Sequence, residues 1–368
     1  MRSDYSSEFL KDMAPMLGEH YVKWLPYCRE AVRATVLEMK DPEVLSKALG
    51  FPVTDEVLEG LSAAWFSPLL SYLERSGKLL RPYLVCLCLE AYGKDPREWR
   101  RQVGLGEVIH SSSLILDDVS DDSLFRRGAP SAHQLFGMRV AGSSALAWLN
   151  LGFHLAWLDR EALGEQATHA LIEALSWEHF VTGVGTTIDV TWAWRRHERR
   201  LPSQYLQQVV HRSTSYTYRL PLKIGAITGG APKADAERLA AFGEELGLAF
   251  QLVDDILNIK PDDPHWGKET AEDIVQGKRS LQVLYALERL EGARRRRLLE
   301  ILDSRTHDQE VLKEAVALIE STGALWDSMA LAQKFRTHCD DILQGLSLAP
   351  IHRDRLGALA EYVVRRAR

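Results

Sequence analysis

Between Ala236 and Ile259 the chain repeats apolar residues at steps of three and four. Leu239, Phe242, Leu246, Ala249/Phe250, Val253 and Leu257 form one stripe. A helix gathers such a set on a single face, and that face must be buried. Gly243 and Gly247, four apart, allow a neighbouring helix to approach closely. The same period runs through almost every other segment, and none alternates apolar and polar residues between hairpin turns. The chain is therefore expected to be all-α. Breakers separate the helical stretches at Gly50-Phe51-Pro52, Gly93 to Pro96, Arg127 to Pro130, Gly229 to Pro232 and Pro261 to Pro264. Residues 1–60 read as a helical N-terminal extension, and residues 61–368 as one large helical domain.

Composition narrows the function. With 368 residues, 46% of them apolar, the chain can bury a sizeable core. A net charge of −6 excludes a general affinity for nucleic acid, which needs a basic face. The basic runs Arg294–Arg297 and Arg365, Arg366 and Arg368 read as a solvated helix face and a charged chain end. Cys28, Cys86, Cys88 and Cys339 lack zinc-ligand spacing and are too few for a disulfide framework, which points to a reduced, cytoplasmic setting. The first residues carry acids and lack the apolar stretch of a secretory signal. Val140 to Leu158 contains no charge and approaches the length that spans a bilayer. Ser143, Ser144, Asn150 and His154 lower its hydrophobicity, so it reads as a helix buried on all sides.

Two constellations carry chemistry. In the first, an apolar helix with Val108, Ile109, Leu114 and Ile115 ends in Asp117, Asp118, Asp121 and Asp122. Asp117 and Asp121 lie one turn apart on one face, where their charges repel. A divalent cation removes that conflict, and magnesium prefers such hard oxygen ligands. Arg126 and Arg127 follow at once, and guanidinium forks beside a carboxylate cluster suit a magnesium-bound diphosphate. In the second, Asp254, Asp255 and Asn258 stand at the end of the opening stripe, followed by Lys268, Asp273, Lys278 and Arg279. Acids precede cations in both. Gly77 to Pro82 adds Lys78 and Arg81, three apart, which share a helix face if Pro82 does not interrupt it. These could form a second anion site without metal.

These motifs resemble the trans-isoprenyl diphosphate synthase (polyprenyl synthetase) family, most of all geranylgeranyl diphosphate synthases. GKLLRP at Gly77–Pro82 is similar to the family's GKxxRP, and DDVSD at Asp117–Asp121 to its first aspartate-rich motif, DDxxD. RRGAPSAH, FQLVDDILN and GKETAEDIVQGKRS match the stretches that follow in the family. The resemblance runs from about Gly77 to Leu290. It implies an all-α bundle around a central cavity, a homodimer, and a magnesium enzyme with three ions per site. The reaction it implies is condensation of isopentenyl diphosphate with an allylic diphosphate. By the same resemblance Asp117, Asp118, Asp121, Asp254 and Asp255 bind the magnesium ions, with Asn258 in the place of the last acid. Arg126, Lys268 and Lys278 contact the allylic diphosphate, with Gln251 on the allylic side of the pocket. Lys78, Arg81, His110 and Arg127 hold isopentenyl diphosphate.

Arg212 and Ser213 stand where the family has lysine and threonine in its KT motif, a substrate-binding position. Gly185 to Asp189 keeps the acid of GQxxD and loses the glutamine, and Ala141–Leu146 lacks the usual Gly-Asp or Gly-Asn pair. Product length in the family is set by side chains below the first motif. Ser112 and Ser113 are small there, which favours a product of C20 or longer, with Trp148, Phe153 or Trp157 as candidate floors. Three other readings compete. A class I terpene cyclase would show an NDxxSxxxE-like motif and would not need Lys78, Arg81 and Lys278. Transfer to a non-isoprenoid acceptor such as an indole is left open by Thr186, Arg212 and Ser213. A non-catalytic regulatory subunit would have no need of both aspartate motifs.

Overall fold

The computed structural model describes residues 6–75, 77–195, 200–260 and 271–366. Their regular structure is helical apart from one short hairpin. The opening stripe lies on a helix from Lys233 to Ile259, and Leu239, Phe242, Leu246, Ala249, Val253 and Leu257 are all buried. Four breakers coincide with helix ends or a turn, where Gly50, Gly93, Gly128 and Gly230 take the left-handed backbone that stops a helix. The fifth, Pro261 to Pro264, lies outside the described residues.

The chain divides into two compact units. The first gathers Met1–Trp177, Tyr216–Ala240 and Leu346–Leu356. At its centre stands the helix Arg100–Ser120, buried on every side over residues 102–112. Around it pack the helices Ser6–Glu38, Leu80–Ala91, Met138–Leu158 and Leu220–Gly229. Small residues set these approaches. A Cβ on Gly104 would lie 2.6 Å from Thr35 Oγ1, so the N-terminal helix seats directly on the central one. A Cβ on Gly225 would lie 2.5 Å from Cys88 Cβ and 2.9 Å from the Val85 carbonyl.

Two expectations change here. The uncharged helix Met138–Leu158 is buried on one face only, through Ala141, Ser144, Ala145, Trp148, Leu151, Gly152, Leu155 and Ala156. Leu146 and Trp157 on its other face are more than half exposed. One stripe of small residues suffices to pack on the central helix, so absence of charge did not mean burial all round. Among the described residues, no helix is long and apolar enough to cross a membrane. The second change is the hairpin, Phe125–Arg126 against Ala129–Pro130, whose two-residue strands are too short to show alternation. Its turn residues Arg127 and Gly128 both have positive φ, the conformation that a tight two-residue hairpin demands.

The second unit gathers Glu178–Ser215, Ala241–Gly345 and Gly357–Arg368. Ile259, Ile274, Val283, Leu287, Leu298, Ile301, Leu302, Leu312 and Ile319 form one apolar cluster in it. Val210–Arg219 winds as a wider π-helix. Gly185 and Gly247 each admit it closely: a Cβ on either would come within 2.6 Å of Arg212 N or of Thr214 Cβ.

Close packing at Gly225 gives a direct test. Gly225→Val should destabilise the protein by about 3 kcal/mol through overpacking. Gly60→Ala, in a helix with nothing within 4 Å of the new methyl, should be neutral or stabilising by up to ~1 kcal/mol. Denaturant midpoints of the two variants decide it.

Candidate active site

In the first unit, the central helix carries one carboxylate, Glu107, over residues 102–116 until its last turn, where Asp117, Asp118 and Asp121 appear. A helix C-terminus already carries partial negative charge, so acids there are doubly disfavoured without a cation. The three side chains meet different surroundings. Asp118 is fully buried; it accepts hydrogen bonds from Arg126 Nε at 2.8 Å and from the Tyr72 hydroxyl. Tyr72 in turn accepts from the Ala132 N–H at 3.1 Å. Burial weakens the Arg126 charge, but Asp118 and Asp117 outweigh it and raise its pKa. Asp117 keeps 28% of its side chain exposed, with Arg126 Nη2 at 3.7 Å, and Asp121 is half-buried. Arg75 donates to the carbonyls of Arg126 and Pro130, at 2.8 and 2.7 Å, and so holds the hairpin that aims Arg126.

One turn and more before Asp117 lies a second group of charges. The Glu107 carboxylate, 3% exposed, stands 3.8 Å from Arg81 and 3.7 Å from Arg127. Arg81 also donates to Thr217 Oγ1 at 3.0 Å, and Arg127 to the Tyr72 carbonyl at 3.3 Å. Gly77 lets Arg127 in, since a Cβ there would meet its guanidinium at 3.2 Å. His110 stacks on Tyr216, with ring centroids 5.7 Å apart. Burial, then the charges of Arg81, Arg127 and Arg126, push its pKa well down, so it stands neutral. Burial and the neighbouring guanidiniums also lower Arg127, against the pull of Glu107. Arg81 Nε and His110 Nδ1 are buried without a hydrogen-bond partner among the described residues. One acid thus serves two half-buried arginines, and the excess positive charge suits an anion. Lys78 precedes the helix instead of sharing its face. The helix starts at Leu80, Leu79 is left-handed, and Pro82 occupies the first turn, where its missing N–H costs little. The Tyr21 hydroxyl holds the Lys78 carbonyl at 2.6 Å.

The second unit repeats the arrangement of an open and a buried acid. Asp255 is buried and accepts from Gln251 Nε2 at 2.8 Å and from the Tyr205 hydroxyl. Burial and then the nearby Asp273 push its carboxyl up to about 8, against the pull of these two hydrogen bonds. Asp254 keeps 26% of its side chain exposed and accepts from Arg366 at 3.2 Å. Asn258 Oδ1 accepts the Asp273 N–H at 3.0 Å and its carbonyl the Ala271 N–H at 2.8 Å, which fixes where the chain returns. Lys278 Nζ lies 3.5 Å from Asp273. Arg212 pairs with Asp189 at 2.8 Å, so the basic position and the retained acid meet; Ser213 follows on the same π-helical turn. Lys268 lies outside the described residues.

Among the described residues, no three acid, histidine or cysteine side chains close on one point as a ready cage for a metal. Magnesium takes one or two carboxylates and completes its shell with water and substrate phosphates. Asp117, Asp121 and Asp254 offer hard oxygens, and a nearby dication would relieve the burial penalty on Asp255. Ser112 and Ser113 return their hydroxyls to the carbonyls of Val108 and Ile109, at 2.7 and 3.0 Å. Trp148 is consumed in an aromatic cluster, stacked on Trp65 at 4.8 Å and donating to its carbonyl. Tyr72, Glu107, Tyr205 and Arg366 escaped the sequence reading. Only Glu107 left a signal, as the one carboxylate within residues 102–116.

The polyprenyl synthetase family model matches residues 63–319. The chain is 30% identical over 297 residues to a short chain isoprenyl diphosphate synthase of Methanothermobacter thermautotrophicus, covering 79% of this chain and 86% of that one. It is 27% identical to a geranylgeranyl diphosphate synthase of Sulfolobus acidocaldarius, over 79% of this chain and 87% of the relative. A crystal structure of geranylgeranyl pyrophosphate synthase from Corynebacterium glutamicum, complexed with isoprenyl diphosphate and magnesium, superposes with a TM-score of 0.77. It is 22% identical and covers 92% of this chain and 98% of its own.

The two kinds of acid should separate in stability. Asp118→Ala strands the Arg126 guanidinium and should cost about 3–5 kcal/mol. Asp121→Ala, without magnesium, should change stability by no more than about 0.5 kcal/mol. Equal losses in denaturant titrations would contradict the assignment of Asp118 as the braced acid.

Proposed function

This chain belongs to the polyprenyl synthetase family and is a prenyl-transferring enzyme; we propose that it extends an allylic diphosphate with isopentenyl diphosphate to C20 or longer. The observation that carries this reading is the presence of two acid motifs together with a separate cluster of half-buried cations around Glu107. A cyclase or a regulatory subunit has no use for the latter. Asp117, Asp121 and Asp254 would hold magnesium, three ions per site, with Asp118 and Asp255 fixed behind them and Asn258 accepting the N–H groups of Ala271 and Asp273. Magnesium neutralises the charge that grows on the departing diphosphate. Arg126, Lys268 and Lys278 would grip that diphosphate, and preorganised cations lower the barrier because they need not reorient as charge develops.

Lys78, Arg81, His110 and Arg127 would hold the isopentenyl diphosphate, with neutral His110 donating a ring N–H. The allylic C1–O bond breaks and its electron pair leaves with the diphosphate. The double bond of isopentenyl diphosphate attacks C1, and one proton then leaves C2, taken by the departed diphosphate. No side-chain base is required. Apolar helix walls exclude water, which would quench the cation. The small side chains of Ser112 and Ser113, hydroxyls turned back on their own helix, leave room for a long chain. Four buried, free cysteines suit a reducing compartment such as the cytoplasm.

The helix Glu165–Arg195 exposes Trp177, Phe180 and Val184 along one side, and Phe180 is 64% exposed. Exposed large apolar side chains in such a stripe suit an interface, and a second copy of this chain, which the family resemblance implies, is the occupant we propose.

Purified protein with magnesium, isopentenyl diphosphate and each allylic diphosphate from C5 to C20 should yield products of C20 or longer by mass spectrometry. Asp117→Ala and Asp254→Ala should each lower turnover at least about a thousandfold while remaining folded. Ser113→Phe should shorten the product. No elongation with any partner would refute the reading. Phe180→Asp should convert a dimer to a monomer in light scattering; a wild-type monomer would remove the homodimer.

A further inference from the structure

The terminal basic run divides in two. Arg365 is largely exposed and pairs with Glu361, as a solvated chain end should. Its neighbour Arg366 has a side chain only 3% exposed. The Arg366 N–H bonds to the Tyr362 carbonyl at 3.0 Å, so the residue continues the last turn of the helix Pro350–Arg365. Its guanidinium carbon lies 3.7 Å from the centroid of the Phe250 ring, and Nη2 donates to the Phe250 carbonyl at 3.0 Å. The same nitrogen donates to Asp254 Oδ1 at 3.2 Å. The sequence expectation of a wholly solvated end fails here because a planar cation can stack on a ring and still reach a carboxylate.

The order of these contacts matters. A backbone carbonyl and an aromatic face fix the guanidinium independently of Asp254. The carboxylate therefore takes its orientation from the arginine, and not the reverse. We propose that Arg366 is a positioning residue for the second aspartate motif, fixing the Asp254 carboxylate by one oxygen so that it meets magnesium without first being ordered. This rests on the prenyl-transfer reading above. Asp118 is braced by Tyr72 and Arg126, and Asp255 by Tyr205 and Gln251; Arg366 supplies the same service to Asp254 from the far end of the chain. Donors of this kind behind a metal-binding carboxylate typically govern metal affinity by 10- to 100-fold.

Calorimetric titration of inorganic diphosphate at graded magnesium concentrations tests the assignment without turnover. Arg366→Met should need roughly tenfold more magnesium for half-maximal diphosphate binding, while the exposed control Arg365→Met should match wild type. An unchanged requirement in Arg366→Met overturns the proposal. So does a lower one, which would make Arg366 a competitor of the metal. If thermal unfolding shows Arg366→Met to be misfolded, Arg366→Lys decides: a requirement raised roughly threefold supports positioning, and a wild-type requirement overturns it. A wild-type protein that binds no diphosphate with magnesium would instead overturn the prenyl-transfer reading on which the proposal stands.

Discussion

Everything in this protein turns on acids placed where a helix least tolerates them. In the first unit, Asp117, Asp118 and Asp121 sit in the last turn of a largely buried helix, against the negative end of its dipole. In the second unit, Asp254 and Asp255 stand near the end of a helix whose apolar stripe is wholly committed to the core. Neither placement stabilises the fold. Both are explained by a dication and an anionic substrate that complete the charge balance, and the family's chemistry supplies both.

Each unit manages the conflict by dividing its pair. One acid is buried and given a tyrosine hydroxyl and a second donor: Tyr72 with Arg126 for Asp118, Tyr205 with Gln251 for Asp255. The other acid stays open to solvent. A carboxyl held at full burial is tolerable only with its hydrogen bonds satisfied, and breaking one partner leaves the other stranded. The buried acid is thus tied to its neighbours, and the part-exposed acid, 28% for Asp117 and 26% for Asp254, is the one proposed for ligation. Around Glu107 the balance runs the other way, with one carboxylate between two guanidiniums and a neutral histidine beside them. Carboxylate excess suits a metal, and guanidinium excess suits an anion held without one.

The fold class was legible because helical period needs only one chain segment to express itself, as in Leu239 to Leu257. The acids were legible for the same reason: Asp117 and Asp121 share a face by spacing alone. Their braces were not, because Tyr72, Tyr205 and Arg366 are brought in from 46, 50 and 112 residues away. The helix Met138–Leu158 misled because one stripe of small residues is enough to pack it, and absence of charge does not require the other face to be buried. Arg366 misled because terminal arginines are usually solvated, and nothing near it in sequence reveals the Phe250 ring.

The most direct test is to locate the metal itself. Crystals grown with manganese and a non-ionising allylic thiolodiphosphate should show anomalous density beside the Asp117, Asp121 and Asp254 carboxylates. Asp118 should remain on Arg126 and Tyr72. Manganese bound elsewhere, or a diphosphate lying away from both aspartate motifs, would contradict the account.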